Sequence, residues 1–215
     1  MPFNLGKYTE LNSFLKTKNV TLVAVSKFQP LEEIQKAYNA GIRDFGENYA
    51  QELCSKFPAL PDDIRWHFIG HLQTNKVKYI APFVYLIQSV DSANLLKEIN
   101  KQAKKAGRII KCLLQLHIAE ETSKTGFNED EILKINYADY PNIEICGMMG
   151  MATFTGNEEI LKNEFSKLRE TFLKAKPQFP QMQILSMGMT DDYKTAISQG
   201  STMVRVGSLL FGRRS

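Results

Sequence analysis

Residues 20–30 read VTLVAVSKFQP. The first seven are apolar, small or β-branched, the pattern of a strand buried on both faces. The run ends in Ser26, Lys27, Phe28, Gln29 and Pro30, with no glycine. A doubly wound dinucleotide-binding sheet carries GxGxxG directly after its first strand, because glycine lets the backbone approach a pyrophosphate. That signature is missing, so the rest of the chain has to supply another parallel architecture.

Seven further runs of the same kind follow: 42–46, 65–70, 83–90, 109–118, 143–151, 182–188 and 202–207. Helical periodicities lie between them. In 31–41, Leu31, Ile34 and Tyr38 share a face and Gly41 marks the stop; in 94–107, Leu95, Leu96, Ile99 and Ala103 form the stripe before Gly107. In 158–175, Leu161, Phe165, Leu168 and Phe172 repeat at helical spacing. Residues 5–18 read as an extra N-terminal helix, and PALPDDI (58–64) as a surface loop. Eight strands alternating with helices predict an α/β fold, a single (β/α)8 TIM barrel occupying 1–215 as one domain.

The chain has 215 residues, 43% hydrophobic and 23% charged, with a net charge of +4. That balance suits a small anionic ligand and lacks the basic stripe of a nucleic-acid binder. Cys54, Cys112 and Cys146 are odd in number and form no CxxC, so free thiols in a reducing compartment are expected. The N-terminus shows no signal-peptide pattern, and no apolar run approaches the about 18 residues of a membrane span. A cytoplasmic protein is expected, with no membrane and no nucleic-acid partner.

In a barrel, ligands bind where the strands end, so the strand ends are read together. They carry Lys27, Asn48, His67, Met148, Ser186 and Arg205. SMGMTDDY (186–193) and RVGSLLFG (205–212) follow the last two strands. Loops after strands seven and eight frequently bind phosphate, and Gly188 and Gly207 permit close backbone approach. The plainer reading is a helix cap and a turn. Lys27 either snorkels to solvent or, desolvated, serves as an amine that attacks an aldehyde to form a Schiff base. A sugar-phosphate aldolase and a pyridoxal phosphate (PLP) protein both fit. His67 and His71 are four apart, but Gly70 intervenes at a strand end, which argues against a shared helical face and a metal site.

WHFIGHLQTNKVKYI (66–80) resembles a signature of the pyridoxal phosphate homeostasis protein family, which is similar to the N-terminal domain of alanine racemase. LVAVSK (22–27), FGENYAQE (45–52), SKTGF (123–127), GMMGMAT (147–153), LSMGMTDDY (185–193) and VRVGSLLFG (204–212) add to it in order, over nearly the whole chain. The resemblance implies a PLP barrel of fold type III that holds pyridoxal 5′-phosphate as a Schiff base on Lys27. It implies a phosphate loop at Ser186, Gly188, Met189 and Thr190 with Gly207, and Arg205 at the pyridine nitrogen. Asn48, His67 and Met148 are implied to line the ring pocket.

This sequence departs from the family where a second lysine often follows the first, since Phe28, Gln29 and Pro30 stand there. Lys124 matches a lysine implicated in some members in handling a second PLP. Arginine cannot accept a proton, so the ring nitrogen facing it stays unprotonated and the cofactor is a weaker electron sink. The chain ends eight residues after Gly207, with no room for the C-terminal β-domain that supplies a racemase's second base. The expectation is a non-enzymatic carrier for PLP storage or delivery, a monomer with PLP-dependent apo-enzymes as partners. A weak racemase-like enzyme and a Schiff-base aldolase are the alternatives.

Overall fold

Strand β1 (Thr21–Val25) is hydrogen-bonded in parallel on both sides, to β2 (Asp44–Glu47) and to β8 (Met203–Val206), so the sheet has no edge there. The computed structural model describes residues 2–119 and 125–212. Between these strands lie β3 (Arg65–Phe68), β4 (Leu86–Val90), β5 (Ile110–Gln115), β6 (Ile143–Met149) and β7 (Ile184–Ser186), in sequential order around a closed barrel. The doubly wound alternative is excluded by that closure. Each of the eight apolar runs coincides with one strand, β2 reaching one residue past its run.

Helices cover the outside. They are α1 (Leu5–Thr17), α2 (Leu31–Asn39), α3 (Ala50–Lys56), α4 (Val77–Ile80), α5 (Ala93–Lys105), α6 (Glu129–Leu133), α7 (Glu158–Ala175), α8 (Tyr193–Ser198) and α9 (Ser208–Phe211). α1 is the additional N-terminal helix; Asn4 accepts from Lys7 N–H to cap it and donates its own N–H to Leu210 O, tying it to α9. α5 begins on the Ser92 cap and buries Leu95, Leu96, Ile99 and Ala103 as its periodicity predicts. α7 starts on Asn157 and buries Leu161, Phe165, Leu168 and Phe172.

Two expectations change. The buried face of α2 is Glu33, Ile34 and Ala37, while Leu31 is exposed. Tyr38 lies under the Arg43 guanidinium at 3.8 Å and donates its hydroxyl to Asp63 (2.7 Å), which turns it towards the surface. The run at 83 does not enter the sheet until Leu86. Phe83 stacks on Phe57 with centroids 4.0 Å apart, and Arg108 donates to Ala81 O and Val84 O, which holds this stretch as a turn.

Apolar side chains divide by strand alternation. Val23, Leu86, Leu113, Cys146, Met149 and Met203 fill the bore, and a larger cluster packs between barrel and helices. A polar line also runs through the bore, where Asp44, His67, Gln88, Ser186 and Arg205 are all buried. All three cysteines are free thiols, Cys112 and Cys146 buried. Among the described residues no helix is long and apolar enough to cross a membrane.

The β5–β6 register shifts between Cys112 and Leu113, and Gly147 lies at that irregularity opposite Ile184 of β7. A Cβ on Gly147 would stand 1.8 Å from the Ile184 carbonyl oxygen, so no side chain fits without pushing β7 away. Gly147→Ala is expected to cost at least ~3 kcal/mol in urea unfolding; an unchanged midpoint would show that β7 moves freely.

Candidate functional site

Lys27 lies just past β1, half-buried, in a turn closed by Gln29 N–H donating to Ser26 O (2.9 Å). The next residue, Phe28, has φ +63. A residue with a Cβ adopts that left-handed conformation at a cost of about 1–2 kcal/mol. The turn is held from below. Phe28 N–H donates to a Glu52 carboxylate oxygen, and the Phe28 ring packs on Tyr49 at 5.0 Å.

Beneath it Lys56, the last residue of α3, is 4% exposed. Its ammonium donates to Ser26 O (2.8 Å), Glu47 Oε1 (2.8 Å) and Glu52 Oε1 (2.6 Å), which matches its three protons to three acceptors. Ser26 Oγ donates to the same Glu47 oxygen at 2.6 Å. Burial pushes the Glu47 carboxyl above its ordinary range, and Lys56 and Ser26 pull it partly back. This buried cluster makes the strained turn at Lys27 the favourable conformation of the chain. Glu47 stands in the FGENYAQE piece with no role assigned by the sequence, and Lys56 lies outside every motif. The local signal for Lys56 is its i, i+4 spacing from Glu52, the last residue of FGENYAQE.

On the other side of β1, the ends of β7 and β8 meet. Gly188 has φ +96, and a Cβ there would lie 2.7 Å from Ala196 Cβ, so α8 packs directly behind the loop. Met189 N–H is taken by Asp192, and Met189 itself is exposed at the rim. Ser208 Oγ donates to Thr190 Oγ1 (3.1 Å), joining the two loops. In α9 the first backbone bonds run from Leu210 and Phe211 N–H to Gly207 O, so the N–H groups of 207–209 precede the intrahelical ladder. A Cβ on Gly207 would stand 3.1 Å from Val25 Cβ, which places the start of α9 against the end of the Lys27 strand.

Arg205 is buried between these loops and the bore. Nη1 donates to Ser186 O (2.9 Å) and Ser186 Oγ (2.7 Å), and Nη2 to Gly150 O (3.0 Å). Burial lowers its pKa to about 10, with Asp192 opposing, so the guanidinium stays charged at neutral pH.

The remaining expected residues divide. Asn48 follows β2 and packs against Gly70, where a Cβ would meet the Asn48 carbonyl at 2.4 Å. Its Oδ1 is buried and has no hydrogen-bond partner among the described residues. It lines a cavity of about 450 Å³ with Tyr49, Phe68, His71 and Lys76. His67 and Ser186 point into the bore and are fully enclosed there. Met148 corrects the expectation. It packs in the layer between barrel and helices, because strand alternation after the irregularity at Gly147 turns Met149, not Met148, into the bore. His71 sits on the surface paired with Asp91 (3.0 Å), while His67 is inside, so the two do not converge on one ion. Lys124, together with Glu120, Glu121, Arg213 and Arg214, lies outside the described residues.

Residues 7–215 match the family described as alanine racemase, N-terminal domain. The chain is 40% identical over 197 residues to the pyridoxal phosphate homeostasis protein of Aquifex aeolicus, covering 90% of this chain and 86% of that one. The solved structure of PipY from Synechococcus elongatus PCC7942 without PLP superposes with a TM-score of 0.91 at 33% identity, covering 97% and 99% of the two chains. The same protein solved with PLP bound gives a TM-score of 0.86 at 32% identity, with the same coverage.

Removing the Lys56 ammonium leaves Glu47 and Glu52 without their shared cation. Lys56→Met is expected to destabilise the fold by about 3–5 kcal/mol, read by denaturant unfolding. A loss below 1 kcal/mol, on the scale of an exposed ion pair, would show that the cluster does not brace the turn.

Proposed function

The chain belongs to the alanine racemase N-terminal-domain family, among the pyridoxal phosphate homeostasis proteins, and on that premise we propose that it binds pyridoxal 5′-phosphate at the C-terminal mouth of its barrel and serves PLP homeostasis as a carrier rather than a catalyst. The observation that carries the reading is the adjacency of β7, β8 and β1. It brings two glycine-bearing loops, a buried guanidinium and a braced lysine turn to one mouth.

The residues present fit the group. Gly188, Thr190, Gly207 and Ser208 offer backbone N–H groups and two hydroxyls in the joined loops, a donor set for a phosphate, while Met189, whose N–H is held by Asp192, shapes the rim. Ser186 contributes through Arg205, since its hydroxyl is turned into the bore. Arg205 presents donors only and would meet the ring nitrogen as a hydrogen-bond donor. Asn48 brings an unpartnered Oδ1 to the ring side. His67 supports the pocket from within the bore. When bound, the cofactor supplies an aldehyde that condenses reversibly with an amine, and Lys27 is the amine this chain offers. Because Arg205 offers donors only, it would favour an unprotonated ring nitrogen and so would not strengthen the electron sink that amino-acid chemistry draws on. Holding the cofactor is what this set of side chains does best.

The reading extends to a monomer of one barrel domain in the cytoplasm, where free Cys54, Cys112 and Cys146 are at home, delivering PLP to PLP-dependent apo-enzymes. Lys124 remains a candidate contact for a second PLP, on the family resemblance alone.

PLP added to the purified protein should produce a visible absorption band, and borohydride reduction followed by peptide mass spectrometry should fix the cofactor mass on Lys27. Lys27→Ala should lose the band and the tag while keeping weaker binding through the phosphate loops. A tag confined to another lysine would overturn the assignment, and racemisation of alanine or serine above background would overturn the carrier role. Delivery predicts that the loaded protein reactivates an apo-enzyme in the presence of a scavenger of free PLP; reactivation abolished by the scavenger would reduce the role to storage.

A further inference from the structure

Arg205 is one end of a hydrogen-bonded chain that crosses the bore to the opposite mouth. Its direction is forced. Arginine carries only donors, so Ser186 Oγ accepts from Arg205 Nη1 (2.7 Å) and directs its own proton to Gln88 Oε1 (2.7 Å). Gln88 therefore turns its amide nitrogen towards His67 Nδ1 (2.9 Å) and Met203 Sδ (3.3 Å). His67 accepts at Nδ1, so its proton sits on Nε2 and is donated to Asp44 Oδ1 (3.0 Å). Arg65 closes the far end, Nε and Nη2 donating to the same carboxylate at 2.7 and 2.5 Å.

Strands β8, β7, β4, β3 and β2 contribute one inner member each, and every one of those five side chains is buried. Reversing any link would set two donors or two acceptors against each other in a space closed to water. Burial raises the Asp44 carboxyl, but the hydrogen bonds from Arg65 and His67 outweigh it and hold the group below its ordinary range, as an anchor carrying a negative charge.

We propose that Asp44, His67 and Gln88 are positioning residues: the Asp44 carboxylate, at the far end of the barrel, selects the His67 tautomer and the Gln88 orientation, and through Ser186 these set the fork of Arg205 at the mouth. This rests on the reading that Arg205 faces bound PLP. Neither Asp44 nor Gln88 needs to touch the ligand.

Gln88→Glu keeps the shape and removes the donor that His67 Nδ1 requires; Asp44→Asn keeps the shape and removes the anchoring charge. In unliganded wild type, nitrogen-15 NMR of the histidines should show His67 protonated at Nε2 alone, and the Arg205 side-chain protons should exchange slowly. Either variant should speed that exchange at least about tenfold. With PLP, either should raise the Kd by about tenfold and shift the absorption band, the scale of one lost hydrogen bond to a charged group. Leu161→Ala in α7, a destabilising change away from the bore, should lower the melting temperature and move neither readout. A His67 proton on Nδ1 in wild type, or wild-type exchange, Kd and band in folded Gln88→Glu and Asp44→Asn, would overturn the inference. If the wild type takes up no PLP, the preceding functional reading falls, and the NMR and exchange measurements still decide this one.

Discussion

A guanidinium buried inside a closed barrel is the constraint from which much of this structure follows. Arg205 cannot shed its charge at neutral pH, and leaving a buried donor unpaired costs about 1–3 kcal/mol or more. Ser186 and Gly150 satisfy it from β7 and from the residue just past β6, and Gly188 O accepts the Arg205 backbone N–H. These contacts draw the loops after β7 and β8 together over the mouth. With a single residue pair in register between β7 and β8, they also strengthen the weakest seam of the barrel.

Lys56 plays the equivalent part on the other side of β1. A cation at the end of α3 is held by two carboxylates and the Ser26 carbonyl, and the turn above it carries Phe28 in a left-handed conformation. Strain of this kind persists only when its surroundings over-determine it. The two buried cations therefore have separate tasks. Arg205 holds the loops after β7 and β8 and Lys56 shapes the turn, while Lys27 lies between them at the end of the strand that β8 flanks.

Most of the fold was legible in the chain. Strands buried on both faces announce themselves as continuous Val, Ile and Leu runs, and α5 and α7 carry their caps and stripes in order. Legibility failed where side chains were claimed by distant partners. Tyr38 belongs to Arg43 and Asp63, Phe83 to Phe57, and neither pairing has a local signature. Gly188 and Gly207 stand out as candidates by turn chemistry, whereas Thr190 is implied by the family resemblance alone. Met148 could not be placed, because one irregularity in the β5–β6 register exchanges the inward and outward positions after it.

By itself the sequence determined the number of strands, the parallel alternation and the identity of the chemical groups at the strand ends, because those depend on local periodicity and residue type. Only the tertiary structure decided what each polar group is bonded to. Gln88 in LIQSV and Asp44 in DFGE carry no local pointer to a partner, and closure of the barrel brings them within hydrogen-bonding reach of His67. In a bore closed to bulk solvent such groups must find one another, and which pairs form is set by register and closure, quantities that no short stretch of sequence contains.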